Sequence, residues 1–433
     1  MRLHILASAV IFGIGAAALA VSAEGEDRRE ETFRQLELFG DVLSRIESDY
    51  VVDPDKAELI ESAINGMLSS LDPHSSYLNP DDFEDMQVST TGEYGGLGME
   101  ITQRDNLITI VAPFADTPAD RAGLVTGDRI LAVEGDSLVG ATPTEAVERI
   151  RGPQGEPVTI TIGRDGEDAF DVTLVREIIE INPISYRLED EDTIPYLRVT
   201  GFNEHTTERA VEALEDMENA MGGPLPGLIL DMRSNPGGLL DQSVTLSDLF
   251  LDGGEVVSTR GRDPRSTQRY NARPGDILDG APIVVLINNG SASASEIVTG
   301  ALQDRERATV LGLTSFGKGS MQTIVPLRGG RDGALRLTTA RYYTPAGRSI
   351  QATGIQPDIP VSARQLDPDA PLRFTEDALR NALINENGTE REEIAFEDIE
   401  QPPEEWPEEE DYQLHRAKEV LISMMERQSA QLQ

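Results

Sequence analysis

Of the 37 basic residues in this 433-residue chain, only three are lysines: Lys56, Lys318 and Lys418. Wherever a plain positive charge serves, the sequence writes arginine, which cannot shed its proton; a buried lysine can, and then acts as a base. Lys56 and Lys418 fall in polar helical stretches, whereas Lys318 stands in a glycine-bracketed loop, Ser315-Phe316-Gly317-Lys318-Gly319-Ser320. A phosphate cradle is the rival use of such a loop, but the glycine and lysine spacing of a P-loop is absent. A second reactive cluster lies upstream, Ser291-Ala292-Ser293-Ala294-Ser295-Glu296, with Ser293 preceding Lys318 by 25 residues. Serines cap helices routinely; three of them alternating with alanine also leave little bulk, so that a substrate backbone can come close. A serine nucleophile needs a base, usually histidine. The four histidines, His4, His74, His205 and His415, lie in an apolar leader, a Leu-Asp-Pro-His-Ser turn, a polar helix start and a charged tail, and no Gly-Asp-Ser-Gly-Gly segment occurs. A serine–lysine pairing fits better, as a variant of the same geometry. His74 reads as structural; no metal or nucleotide ligand cluster is found, so no cofactor is expected.

These residues need elements to hold them. The apolar, β-branched run 282–287 reads as a buried strand ending in the turn Asn288-Asn289-Gly290, and a helical pattern continues over 297–303. Strand, sharp turn and helix start bring free backbone N–H groups to one point, where the helix dipole favours developing negative charge. The surrounding chain, 179–365, alternates strand-like runs (196–199, 228–230, 283–287, 309–311) with helix-like ones (208–221, 240–250, 296–303). Such alternation implies βα units with catalytic loops near the strand ends. Within it, Asn235-Pro236-Gly237-Gly238 follows a strand and precedes a helix; glycine there admits close approach of a reacting carbonyl, an ordinary tight turn being the other account. Residues 91–178 form a smaller, β-rich pattern: strands at 98–101, 107–111, 127–133, 158–162 and 170–175, with helices at 119–124 and 142–151.

Several of these motifs together resemble the carboxy-terminal processing proteases, PDZ-containing serine peptidases of the tail-specific type. The resemblance rests on Ser291 to Glu296, on Phe316-Gly317-Lys318-Gly319 with Gln322 four residues after the lysine, and on Asp231-Met232-Arg233-Ser234-Asn235-Pro236-Gly237-Gly238. Leu71-Asp72-Pro73-His74-Ser75, Tyr94-Gly95-Gly96-Leu97-Gly98 and Gly354-Ile355-Gln356-Pro357-Asp358 resemble further family signatures, all in family order. The resemblance implies an α/β protease core with an inserted PDZ domain and helical N- and C-terminal segments. It makes Ser293 the nucleophile, Lys318 the general base and Gln322 the residue that orients the lysine. It gives the oxyanion hole to the backbone N–H groups of Gly238 (or Gly237) and Ala294. The order of elements in 91–178 resembles a PDZ domain, whose loop Gly95, Gly96, Leu97, Gly98 would offer N–H groups to a substrate's terminal carboxylate while the peptide adds a strand to the sheet edge. An empty glycine-rich hairpin is the plainer account of that loop. Arg151, in the turn after the second helix, is placed to act as a regulatory latch on the core or simply to be solvated.

The rest of the chain sets bounds. Zero cysteines exclude disulfides and thiol catalysis. Met1-Arg2, an apolar stretch over 5–21 and Val21-Ser22-Ala23 before an acidic run read as a secretory signal peptide, residues 1–23, implying a periplasmic or otherwise exported protein. An uncleaved N-terminal membrane anchor is the alternative. Residues 24–90 are helical in pattern, with Phe33, Leu36, Leu38, Val42 and Ile46 mostly three and four apart. A formal charge of −40 argues against nucleic acid as a partner. Residues 366–433 form an acidic and helical C-terminal region; 390–411 carry twelve acids against Arg391 and read as a solvated segment, and 412–433 as a terminal helix. The partners expected are protein or peptide substrates with apolar C-termini, with a homo-oligomer or an adaptor protein open. The competing function is a non-catalytic PDZ scaffold that captures chain ends.

Overall fold

The computed structural model describes residues 30–190, 193–367 and 375–431. The expected signal peptide, with His4, lies outside them. The chain divides into two compact units, one ending at Leu68 and one beginning at Ser69. The first holds a helix over 30–49 and nearly all of helix Lys56–Ser69; Phe33, Leu36, Leu38, Phe39 and Val42 of the earlier helix are exposed.

The second unit is built on a six-stranded sheet ordered Ile184–Glu189, Ile194–Val199, Leu228–Asp231, Ile283–Ile287, Ala308–Gly312, Ile359–Pro360. The first pair is antiparallel and every later pair parallel. All five residues of Ile283–Ile287 are buried, as a parallel strand covered on both faces demands. The alternation is strict. Ile283, Val285 and Ile287 join the core under helices Thr206–Met221, Leu240–Asp248 and Ala294–Asp304. Val284 and Leu286 face Tyr412, Leu414, Ala417 and Leu421 of the terminal helix Tyr412–Gln431. That helix thus supplies the second layer of the sandwich.

A second sheet, less evident from the sequence, orders Ser76–Leu78, Ala334–Tyr343, Gly254–Gly261 and Gln268–Ala272, with Ser320–Pro326 also paired to Ala334–Tyr343. It brings the Leu71 to Leu78 segment against Ala334–Tyr343, the strand that also pairs with Ser320–Pro326 after Lys318.

The β-rich part closes on its own core of Ile108, Ile110, Ile130, Ile160 and Ile162, all fully buried. Its sheet runs Met99–Arg104, Leu107–Pro113, Arg129–Val133, Pro157–Gly163, Phe170–Val175, leaving Met99–Arg104 at an edge beside helix Pro143–Ile150. Chain entry and exit are paired: Glu93–Gly96 runs antiparallel to Glu177–Glu180.

One expectation is corrected. The acidic stretch 390–411 is not merely solvated: Ile399 is buried, Glu400 bridges to Val361, and Asp411 pairs with Arg233. Its carboxylates find arginines on the core and on the terminal helix, where Arg416 meets Glu400. Ion pairing thereby fastens what composition alone would leave in water.

Candidate active site

The strand Ile283–Ile287 delivers the chain into a turn stitched to its neighbour. Asn288 Oδ1 accepts from the N–H of Ser234 (2.8 Å), and Ser291 Oγ donates to the Met232 carbonyl (2.8 Å). Ser295 Oγ donates to the Asn235 carbonyl, also at 2.8 Å. Two of the three alternating serines are therefore occupied in tying the two turns together. The third differs. Ser293 Oγ donates to no acceptor among the described residues, and its backbone is held at φ 57°, ψ −112° at the head of helix Ala294–Asp304. Positive φ at a residue with a Cβ costs about 1–3 kcal/mol and persists only where the surroundings enforce it.

Glu296 enforces it. This carboxylate is fully buried and collects four donors: Ser293 N–H (2.7 Å) and Lys318 N–H (2.9 Å) on Oε2, Ser315 Oγ (2.5 Å) and Gly317 N–H (2.7 Å) on Oε1. Burial pushes its pKa up to about 7, with the four hydrogen bonds pulling the other way. Its place in the serine motif was visible in the sequence, but its role was missed; its position three residues into a helix opened by serine, the capping-box spacing, was the available signal.

Ser293, Lys318, Gln322, Gly237, Gly238 and Arg336 line one cleft of about 940 Å³. Gly237 packs against the serine: a Cβ there would lie 2.8 Å from the Ser293 Cβ and 3.0 Å from the Ala294 nitrogen. Gly238, at φ 145°, has no room either, since a Cβ would come within 2.2 Å of the Phe202 carbonyl. The two differ in what their N–H groups do. Gly237 N–H donates to Asn235 Oδ1 at 2.9 Å, whereas Gly238 N–H has no acceptor among the described residues. Ala294, first in its helix, likewise lacks an intrahelical acceptor.

Burial, reinforced by the Arg336 guanidinium, lowers the pKa of the Lys318 amine, while Glu376, Glu296 and Asp72 pull it up. The structure brings Lys318 and Ser293 into one cleft without a hydrogen bond between them: among the described residues none involves Lys318 Nζ. Nor does Gln322 reach the lysine. Its amide donates to Ser320 Oγ and Thr338 Oγ1, both at 3.1 Å. Thr338 Oγ1 in turn donates to Asp72 Oδ1 (3.0 Å), so Leu71 to Ser75 stands directly behind this wall. Asp231 and Arg233 play a different part. Tyr196 and Arg233 both donate to Asp231, and Arg233 bridges on to Asp411, pinning the turn that leads to Gly237 against the terminal helix.

The expected carboxylate loop is shorter than the sequence suggests: Gly95 and Gly96 belong to the strand Glu93–Gly96 paired with Glu177–Glu180, and only Leu97 and Gly98 form the loop that leads into the edge strand. Leu97 is buried, and its N–H and that of Gly98 have no acceptor among the described residues. A groove of about 60 Å³ between that strand and helix Pro143–Ile150 is lined by Leu97, Gly98, Ile101, Val147 and Ile150. Arg151 borders both this groove and the cleft that holds Ser293 and Lys318. Its guanidinium lies 4.4 Å from the Tyr94 ring centroid and 3.5 Å from Asp85.

Among known families, residues 193–361 match peptidase family S41, residues 109–164 a PDZ domain, and residues 15–82 the N-terminal domain of the activating protease CtpB. The chain belongs to the carboxy-terminal processing proteases, S41 peptidases with a PDZ domain. Among its relatives, the carboxy-terminal-processing protease of Bartonella bacilliformis is 51% identical over 349 residues, 80% of either chain. The carboxyl-terminal-processing protease of a Synechocystis species is 37% identical over 305 residues, 69% of this chain and 70% of that one. Of solved structures, the photosystem II D1 C-terminal processing protease is 29% identical over 77% of this chain and 93% of that one, with a TM-score of 0.42.

Proposed function

We propose that this protease is an exported serine endopeptidase that cuts proteins near their C-termini with a Ser293–Lys318 pair. The observation that carries the reading is Ser293 itself: alone among its neighbouring serines it keeps its hydroxyl undonated, on a strained turn, in the cleft that also receives a lysine of depressed pKa. Neutral Lys318 takes the proton of Ser293 Oγ as the oxygen attacks the scissile carbonyl. The N–H groups of Gly238 and Ala294 receive the oxyanion. The Lys318 ammonium gives that proton to the departing amine as the peptide C–N bond breaks, leaving an acyl-Ser293 and a neutral lysine; the same lysine then activates the water that releases the acyl group. Catalytic hydrogen bonds are often long in a free enzyme; with both backbones held on Glu296, the Lys318 side chain swings to Ser293 and Gln322 turns from Thr338 to orient it.

Chain-end capture is assigned to the N–H groups of Leu97 and Gly98, which line the groove, with the peptide extending the sheet at Met99–Arg104. Export, or anchoring through the N-terminus, rests on the residue pattern of 1–23 alone. For a homo-oligomer the support is the exposed apolar residues of the helix over 30–49; for an adaptor protein the structure offers no specific surface.

The test is hydrolysis of an unstructured peptide with an apolar C-terminus by the wild type, Ser293→Ala and Lys318→Arg. Cleavage by the wild type alone is expected. Substantial turnover by Lys318→Arg, which keeps the charge but not the base, removes the lysine from its role. Binding without cleavage by the wild type leaves a PDZ scaffold.

A further inference from the structure

His74 meets two opposite charges beside the lysine loop. Its carbonyl accepts from Arg336 Nε at 3.2 Å, and its ring Nε2 lies 2.8 Å from Glu376 Oε2. Arg336 stands on the strand Ala334–Tyr343, paired on one side with Ser76 and on the other with Ile324. It reaches the same cleft as Lys318, and its two terminal nitrogens have no acceptor among the described residues. Glu376 is fully buried on the other side. Its backbone N–H donates to the Phe316 carbonyl, and its Oε1 accepts from Gln351 Nε2 (2.9 Å), whose Oε1 accepts from the N–H of Gly319 (3.0 Å). The carboxylate is thus fastened to the residues on both sides of Lys318. An unpaired guanidinium and a buried carboxylate, each gripped by one histidine, are more than the fold of this loop requires.

We propose that Arg336 and Glu376, held by His74, form a charge seat that sets the proton affinity of the Lys318 amine: Arg336 and Glu376 are positioning residues acting through the lysine. The proposal rests on the reading of Lys318 as the base and specifies how it is kept neutral. Desolvation and the Arg336 charge favour the neutral amine; Glu376, with Glu296 and Asp72, favours the ammonium and prevents the lysine from becoming too weak a base. Of the three carboxylates, Glu296 and Asp72 are committed to several donors each, leaving Glu376, shared between His74 and Gln351, as the counterweight to Arg336.

The lysine composition makes the experiment direct. With only Lys56, Lys318 and Lys418 in the chain, trace acetylation by acetic anhydride across pH, read by peptide mass spectrometry, follows Lys318 against two internal references. Both references are held above the ordinary lysine value: Lys56 by Glu47, and Lys418 by Asp190 and Glu189, which outweigh its burial. In full-length Ser293→Ala protein, Arg336→Gln is expected to move the Lys318 titration up, Glu376→Gln to move it down, and Arg336→Lys to leave it close to the parent. In the corresponding active enzymes the acid limb of kcat shifts in the same directions, with KM for a short peptide little changed. Each unit of upward shift costs tenfold in the neutral fraction on the acid side. An unmoved Lys318 titration in folded Arg336→Gln, or shifts of one sign for both neutralising substitutions, overturns the proposal. Should Glu376→Gln fail to fold, the comparison of Arg336→Gln with Arg336→Lys decides alone, and equal titrations overturn it. Because labelling needs no turnover, retained activity in Lys318→Arg defeats the base assignment without touching the charge seat.

Discussion

The backbone N–H groups of Ser293 and Lys318 donate to the same atom, Glu296 Oε2, at 2.7 and 2.9 Å. Two residues 25 apart in sequence, on different loops, are thereby registered against one buried carboxylate. The fold needs no such link to form its sheet, since the strands Ile283–Ile287 and Ser320–Pro326 belong to different sheets. What the link fixes is the position of the serine turn relative to the lysine loop.

Replacing Glu296 with Gln should therefore harm catalysis more than folding. An amide presents one acceptor oxygen where the carboxylate presents two, and its NH₂ meets N–H donors, so the loops separate; kcat should fall on the order of 10²-fold for a displacement near 1 Å. Stability tests the sign. The pKa of Glu296 rises from 4.5 unfolded to about 7 folded, so the folded state binds the extra proton and wild-type stability falls as pH rises through that window. Thermal unfolding of Glu296→Gln at pH 5 and pH 8 should lack this component of the slope. Wild-type kcat with an unchanged slope would refute the assignment.

Gly238→Ala is expected to lower kcat by roughly 10²-fold or more, the effect of losing one oxyanion donor. The added methyl meets the Phe202 carbonyl and displaces the N–H from the cleft. Pre-steady-state acylation measured with an activated ester checks it: a normal burst rate in the folded variant assigns the donor elsewhere.

Amidating a peptide's C-terminus should weaken its binding to Ser293→Ala protein by roughly ten- to hundredfold, the range for losing hydrogen bonds to a charged group. Titration calorimetry with matched free-acid and amide peptides gives the answer. Equal affinities mean that the N–H groups of Leu97 and Gly98 are not a carboxylate receptor.

Arg151 borders both the groove beside Met99–Arg104 and the cleft that holds Ser293 and Lys318, so it is placed to report occupancy of one to the other. Arg151→Ala should lower kcat on a saturating short peptide by about fivefold or more, a typical coupling between sites. If the PDZ part only tethers substrate, that turnover stays at the wild-type value.

The candidate reactive residues were easier to pick out than the wall behind them. Ser293 and Lys318 stood out because their neighbours are small or glycine and because lysine is rare in the chain. Strand Ile283–Ile287 and helix Ala294–Asp304 followed from an apolar run, a turn signal and a helical repeat, all local patterns. The strands Ser320–Pro326 and Ala334–Tyr343 were missed. Each buries only part of one face and carries Gln322, Thr323, Thr338 and Thr339 in the middle, so their apolar alternation is interrupted. With them went the contacts of Asp72, Arg336 and Glu376, which meet only because residues up to 300 positions apart share that sheet or cross it. The second layer over Val284 and Leu286 had a visible helical pattern in 412–433, but no local signal of which face it covers.

Paired with Glu180, Glu93 makes the ends of the PDZ part neighbours in space. To the catalytic core, everything from Leu97 to Arg176 is a single enlarged hairpin loop, closed by one short ladder. Closing a loop grows only slowly more unfavourable with its length, so the core's topology is indifferent to what that hairpin contains. The PDZ part is therefore a replaceable cassette, and a graft at the Glu93–Glu180 seam exchanges it while leaving the loops that carry Ser293 and Lys318 untouched.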